Sequence, residues 1–298
     1  MMAAQTRAEG LALTRRRVRV GEVVFKTVLQ ACFLIAFLVL VGLLTWVVVK
    51  GWSRLDPRLW TAMPTGRVSR IDQAGVQSAI TGTLWVISLT ALICLPTGIL
   101  AAIYLEEYAD NTRWYNRLLE LNIQNLAGVP SIIFGILGLG IIARALGLGF
   151  TVLTAAVVLS LLVLPVVIIA TREAIRAVPQ SIRHGSYALG ATKWQTVSRQ
   201  VLPVAVPGIA TGSILALSRA IGEAAPLIVL GAVTYITFNP DGVLSRYTVL
   251  PIQIYTYIGE AQTEYTELAA AAIVLLLGIV IAMNSIAILL RNTFQKRW

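Results

Sequence analysis

Six stretches of this chain are long, apolar and almost free of charge, and nothing else constrains its folding as strongly. The first, Thr27 to Val49, is 23 consecutive uncharged residues. That is about 35 Å of helix at ~1.5 Å per residue, enough to cross a hydrocarbon core of roughly 30 Å. The others are Gln73 to Leu105, Leu121 to Ala143, Ala145 to Thr171, Gln200 to Ala232 and Leu268 to Leu290. All are much longer than the roughly 10 residues of a barrel strand and lack its alternation. They therefore predict six helices whose backbone groups are satisfied within the segment.

Composition supports lipid as the solvent. Hydrophobic residues make up 57% of the chain and charged ones 13%, where about 25% charged is usual in soluble proteins, and the mean hydropathy is +0.79. A soluble enzyme, a secreted disulfide scaffold and a disordered tail are all excluded. Arg15, Arg16, Arg17 and Arg19 precede the first apolar run in the manner of a signal peptide. That run is longer than the roughly 7–15 residues of a signal segment and has no early small-x-small cleavage site, so it reads as a span. Cys32 and Cys94 lie inside apolar runs as small hydrophobes, and the single His184 leaves no imidazole cluster, so no metal site is expected.

The net charge of +10 comes from 24 Lys and Arg against 14 Asp and Glu. With the N-terminus inside, residues 1–26, 106–120, 172–199 and 291–298 together hold 16 of the 24 positive charges. The positive-inside rule then places both termini in the cytoplasm of a multi-pass plasma or inner membrane protein. The charge is a signal of topology and of attraction to lipid, with no nucleic-acid partner expected. The organisation predicted is a basic segment at 1–26, a first span at 27–49, an outer loop at 50–75, a core of five spans at 76–291 and a tail at 292–298.

The inner loop, about 172–207, is too polar to span but carries helical patterning. Ser186, Tyr187, Ala188 and Leu189 run into Gly190, which ends a helix, and after Ala191 the hydroxyl of Thr192 can cap a second one carrying Trp194, Val197 and Val201. Tyr187, Leu189 and Trp194 would expose apolar surface among Arg183, Lys193 and Arg199. That pattern suits either a groove on a partner or an amphipathic loop on anionic lipid.

Charges also fall inside the fifth apolar run. Arg219 and Glu223, four residues apart, are expected near mid-span on one helix face. A lipid-facing charge at the bilayer centre costs between ~2.5 and more than 10 kcal/mol. The two residues either pair so that the helix can insert, or form an anion site in which Glu223 keeps Arg219 from trapping its ligand. Arg172 and Glu173 end the fourth span as anchors, with Arg172 also a candidate for an inner vestibule. Pro130 and Ser131 interrupt the third span. Ser131 would then start a helix whose N-terminus and hydroxyl can face an anion, or Pro130 is a kink with Gly135, Gly138 and Gly140 allowing close packing. Tyr255 and Tyr257 read as interfacial aromatics, and Glu106, Glu107 and Asp110 as a solvated loop. No phosphate-binding loop, Ser/His/Asp set or other catalytic constellation is present, so no enzyme activity and no cofactor bound by this chain are expected.

Gly190, nine further residues and then Gln200-Val201-Leu202-Pro203 reproduce the register of the EAA loop of permeases of ATP-binding-cassette (ABC) importers. His184-Gly185-Ser186 stands where that motif begins with Glu-Ala-Ala, and Gln200 replaces a hydrophobic residue. Three further stretches, Gly128-Val129-Pro130-Ser131-Ile132-Ile133-Phe134-Gly135, Ser218-Arg219-Ala220-Ile221-Gly222-Glu223-Ala224-Ala225-Pro226-Leu227 and Leu250-Pro251-Ile252-Gln253-Ile254-Tyr255, resemble phosphate-importer permeases of the PstA type. The resemblance implies an all-α, polytopic membrane protein with six transmembrane helices and the type I ABC permease fold. It also implies a heterodimer with a PstC-type permease, two copies of an ATPase that bind ATP and Mg, and an extracytoplasmic phosphate-binding protein. Arg219, Glu223, Ser131 and Arg172 would line the substrate path, and Tyr187, Ala188, Leu189, Gly190, Ala191, Thr192 and Trp194 would dock the ATPase. A stand-alone secondary anion transporter, or a non-transporting scaffold or sensor subunit, are the competing readings.

Overall fold

The computed structural model describes residues 20–110, 112–232 and 235–294. The basic cluster at Arg15 to Arg19 and the tail from 295 lie outside the described residues. The chain divides into two units, 1–49 and 50–298. In the first, helix α1 (Val20–Gly51) begins and runs to the boundary as one long apolar rod.

The second unit opens with a segment that the sequence reads as a loop but that carries local structure. A 3-10 turn at Trp52–Arg54, helix α2 (Pro57–Thr61) and a 3-10 turn at Val68–Gln73 follow one another. Asp56 caps α2 by accepting a hydrogen bond from Leu59 N at 3.2 Å, and Pro57 supplies its first turn. Leu59, Ile71 and Val76 are buried with Tyr257, Tyr265 and Leu268 further along the chain. The segment is thereby tied to its neighbours by side-chain packing.

Helix α3 (Gln77–Ile103) continues into a π turn at Tyr104–Tyr108. Helix α4 (Trp114–Ala127) and helix α5 (Ser131–Leu137), the latter continued by a π segment at Gly138–Ala145, meet at 107°. The third predicted span is therefore a sharply bent pair of helices, a broken span or a re-entrant loop, and not a straight crossing. Pro130 causes the break, because it disfavours helix at Val129 and its own geometry suits the start of a new helix. Helix α6 (Val152–Arg176) is the central element, with Val158, Leu159, Val163 and Val167 fully or almost fully buried. Its first N–H groups would be orphans, and the carbonyls of Ser245 and Val243 accept from Val152 and Leu153 at 3.0 and 2.8 Å.

Helix α7 (Gln180–Ala188) and helix α8 (Lys193–Thr196) form the polar stretch. Through a π turn at Val197–Val201, α8 runs straight into helix α9 (Leu202–Gly222). The short helix α10 (Ala225–Val229), helix α11 (Leu250–Ile258) and the long helix α12 (Thr263–Phe294) complete the chain. Among the described residues, five helices are long and apolar enough to cross a membrane, or six if the bent pair forms one crossing. Most spans begin or end several residues away from the charge-free runs: some helices carry polar ends beyond the run, whereas α6 starts inside its run at Val152 and α9 ends inside its run at Gly222.

Small residues let the helices approach. Glycines at 208 and 212 of α9 face Ala174 and Ala170 of α6, and a Cβ at Gly208 would lie 2.7 Å from that of Ala174. Gly135 packs on α10, where a Cβ would come within 2.6 Å of the Pro226 carbonyl oxygen. Gly138 abuts Val158, whereas Gly140 touches nothing and plays no such part. Tyr255 is 64% exposed as an interfacial residue would be, but Tyr257 is wholly buried and donates to the Gly75 carbonyl at 2.8 Å. The two lie on opposite sides of α11.

Candidate functional site

The charge pair forms, but not where the sequence places it. Helix α9 ends at Gly222, so Arg219 occupies the last turn and Glu223 is the C-cap, with extended backbone at φ −77°, ψ 106°. Arg219 Nε donates to Glu223 Oε1 at 3.2 Å, with the side chains 52% and 17% exposed. The pair was expected near mid-span within one continuous helix. Pro226 explains the difference, because its ring would clash with the carbonyl of residue 222 and it has no N–H to donate there. The helix C-terminus carries partial negative charge, which favours a guanidinium in its last turn. Arg219 is thus stabilised twice and is still half exposed.

Below this end, residues of α3, α6, α9 and α10, among them Thr83, Leu159, Ala220 and Leu227, enclose a cavity of only ≈ 10 Å³. That volume is about one water's worth. Ser131, the first residue of α5, is half-buried and makes no side-chain cap bond. The packing of α10 on Gly135 brings its helix up to the break that follows Glu223, but Arg219 bonds to Glu223 and not to Ser131.

Arg172 sits in a different place, inside an ion network at the far end of α3 and α6. It is 9% exposed, and its Nε and Nη2 reach Glu106 Oε2 at 3.2 Å and Glu120 Oε1 at 2.9 Å. Arg176 shares Glu106 at 2.8 Å and also meets Glu173 at 3.3 Å. Arg183 of α7 donates Nη2 and Nε to Glu107 Oε1 at 2.8 and 3.2 Å. Its remaining donors go to the carbonyls of Val178 and Ile175 at 2.8 and 3.0 Å. Glu106 and Glu107, expected to be solvated, are instead the centre of this network, and the π turn after α3 presents both. Only Asp110 behaves as expected, exposed at the surface, where hydrogen bonds from Thr112 hold its carboxyl below the usual range. The one available signal was the abrupt switch from an apolar run to two glutamates, opposite a run rich in arginine.

The predicted docking element is well formed. Gly190 has φ +81°, its N–H donates to Tyr187 O at 2.9 Å, and Ala191 N donates to Ser186 O at 3.2 Å. These are the paired bonds of a Schellman termination. Thr192 and Gln195 then form a reciprocal capping box at the start of α8. Ser186 and Thr196 share a hydroxyl hydrogen bond at 2.8 Å that pins the two helices together. Leu189 is 91% exposed and Trp194 64%, while Val197 and Val201 are fully buried. Tyr187, Ala188 and Thr192 are also exposed, and Ala191 is half-buried. The apolar tip therefore projects from a rigid base, beside a concavity of ≈ 570 Å³ bounded by Ile182, Leu189, Gln195 and Arg199.

Comparison with known proteins identifies the family and the fold. Residues 94–297 match the family described as binding-protein-dependent transport system inner membrane component. The chain is 34% identical over 287 residues to the phosphate transport system permease protein PstA 1 of Mycobacterium tuberculosis, covering 96% of this chain and 92% of that one. It is 30% identical to the probable PstA of Methanocaldococcus jannaschii, over 89% of this chain and 91% of the relative. In fold it is similar to the MetNI methionine ABC transporter, with a TM-score of 0.58 at 20% identity over 74% of this chain and 95% of that one. It is also similar to a bacterial alginate importer, with a TM-score of 0.57 at 18% identity over 92% and 99%. The all-α architecture, its apolar crossings and this family match together establish that the chain is a multi-pass membrane protein belonging to the binding-protein-dependent transport system inner membrane component family.

Proposed function

We propose that this chain is a permease subunit of an ATP-driven inorganic phosphate importer. The observation that carries the reading is the 34% identity to a phosphate permease along 96% of the chain. In this role the chain forms half of the path, and a PstC-type permease forms the other half against the face that bears Arg219. Two copies of an ATPase hydrolyse ATP with Mg below the membrane, and an extracytoplasmic phosphate-binding protein delivers the ion. The excess of Lys and Arg on one side supports both termini in the cytoplasm, and the turn at Gly190 is then the part that seats on the ATPase.

Arg219 faces the path and Glu223 tempers it. A guanidinium presents paired donors to phosphate oxygens. Its bond to Glu223 leaves it attractive without being a trap, as conduction requires. Ser131 starts α5, whose Gly135 packs on Pro226 of α10, and Arg172 with its carboxylate partners holds the inner ends of the helices. In vesicles carrying the assembled complex, Arg219→Gln should reduce phosphate uptake at least tenfold and Arg219→Lys should lose less, with subunit assembly checked separately. Full uptake by Arg219→Gln would overturn the assignment. Uptake driven by an ion gradient with no ATPase co-purifying would favour a secondary transporter.

A further inference from the structure

At the end of α3 remote from Glu106 and Glu107, a second concavity opens between residues 63–73 and the stretch containing Tyr235 and Thr237. It has a volume of ≈ 510 Å³ and is lined by Thr65, Arg67, Arg70, Gln73, Tyr235 and Thr237 among others. Arg67 is the N-cap of the 3-10 turn Val68–Gln73, and Arg70 lies within it. Arg67 is extended at φ −91°, ψ 114° and Arg70 sits at a kink in the turn at φ −123°, ψ 17°, and both residues line the same space.

Their surroundings leave them without acidic partners. Asp72 is engaged by Arg54 at 3.1 Å, and Glu267 by Lys50 at 3.7 Å and Arg54 at 4.0 Å. Glu260 accepts from the Tyr235 hydroxyl at 2.7 Å. Burial first, and then that bond to Glu260, push the Tyr235 phenol well above its ordinary value, so it stays protonated and adds no negative charge. Asp72, Glu260 and Glu267 thus have partners elsewhere, and among the described residues neither Arg67 nor Arg70 makes an ion pair. Two like charges beside one another repel, and an anion between them turns that repulsion into attraction.

The walls are held in place. Thr65 O accepts from the Tyr265 hydroxyl at 3.1 Å, Arg67 N donates to Thr65 Oγ1 at 3.2 Å, and Arg70 N to Arg67 O at 2.9 Å. The Tyr235 ring lies so close to Gly66 that a Cβ there would be 3.0 Å from Cε2. Two arginines, a carboxamide and two threonine hydroxyls lining one space suit a tetrahedral oxyanion carrying one to two negative charges.

We propose that this pocket binds a free phosphate-class oxyanion and serves as a capture site at the face opposite the docking turn. Binding itself follows from the pocket. Its place on the side where substrate arrives rests on the orientation proposed above.

The test uses the assembled complex without its binding protein, in discs of neutral phosphatidylcholine. An arginine-selective dicarbonyl reagent is applied in inorganic phosphate or in chloride at equal ionic strength, and each arginine is followed by peptide mass spectrometry. Phosphate should slow modification of Arg67 and Arg70 at least fivefold and leave Arg58, which is exposed on the same segment but outside the pocket, unchanged. Equal rates in both salts, or equal slowing at Arg58, would refute the site. Protection by phosphatidylglycerol discs with none from free phosphate would also overturn it, giving the pocket to a lipid headgroup. Failure of the import reading would look different: Arg219→Gln would keep full uptake while the protection at Arg67 and Arg70 stood.

Discussion

Gly190 shows how much one backbone angle can carry. No heavy atom lies within 4 Å of where its Cβ would be, so a side chain there meets open space and the only penalty is conformational. At φ +81° that penalty is about 1–2 kcal/mol for an L residue, and less for Asn. Gly190→Ala should therefore loosen the Schellman turn and splay Leu189 away from Trp194, with a several-fold loss of ATPase retention in pull-down, while Gly190→Asn should lose less. Wild-type retention by Gly190→Ala would mean that the turn's shape is not what the partner reads. This turn was legible in the sequence because its cause is local: a glycine, then a threonine with Gln195 three residues on. Arg219 was legible only in part. The i,i+4 spacing gave the pair, but Gly222 and Pro226 together mark the helix end, and the uninterrupted apolar run concealed it.

Helices α3, α4, α6 and α7 are joined by the network of Arg172, Arg176 and Arg183 with Glu106, Glu107 and Glu120. The sequence concealed this because Glu106 and Glu107 lie 66 to 76 residues along the chain from the arginines that bond to them. Periodicity reports only neighbours within a turn or two. Side chains of Arg183 and Glu107 are 10% and 8% exposed, so their pair is little screened by water. Removing one member of such a buried pair costs roughly 3–5 kcal/mol. Glu107→Ala should approach that loss and Glu107→Gln, which keeps one acceptor, should lose less, both read as a fall in the thermal midpoint of the purified complex. A double variant Glu107→Gln/Arg183→Gln should be less destabilised than the sum of its singles, since the charge left unpaired in one single is absent. Strict additivity would mean that the two charges do not act on each other. Arg183 also caps the carbonyls of Val178 and Ile175, so the network ties the start of α7 to the end of α6.

For the whole molecule, the decisive question is which face is which. The Gly190 turn and the Arg67–Arg70 pocket lie at opposite ends of the helices that join them, since α3 starts beside the pocket and ends at the Arg183 network. If the positive-inside rule applies, the turn is cytoplasmic and the pocket is outside. Single cysteines can decide this, because Cys94 is buried and only Cys32, the other native thiol, is exposed. In a Cys32→Ser background, Arg58→Cys should react with a membrane-impermeant maleimide on intact cells, and Leu189→Cys only after the membrane is permeabilised. Adding the ATPase to permeabilised membranes should then protect Leu189→Cys and leave Arg58→Cys reactive. The reverse labelling order would invert the topology and make the arginine pocket an exit-side feature. Correct order without protection would keep the topology and move the docking contact away from Leu189. The charge imbalance alone cannot separate these outcomes, since the segment 50–70 carries five positive charges of its own. In the folded chain Lys50 and Arg54 are paired with acids, whereas Arg67 and Arg70 are not. Within the proposed orientation, those two charges work against the positive-inside bias, and a site for an anion accounts for their being where they are.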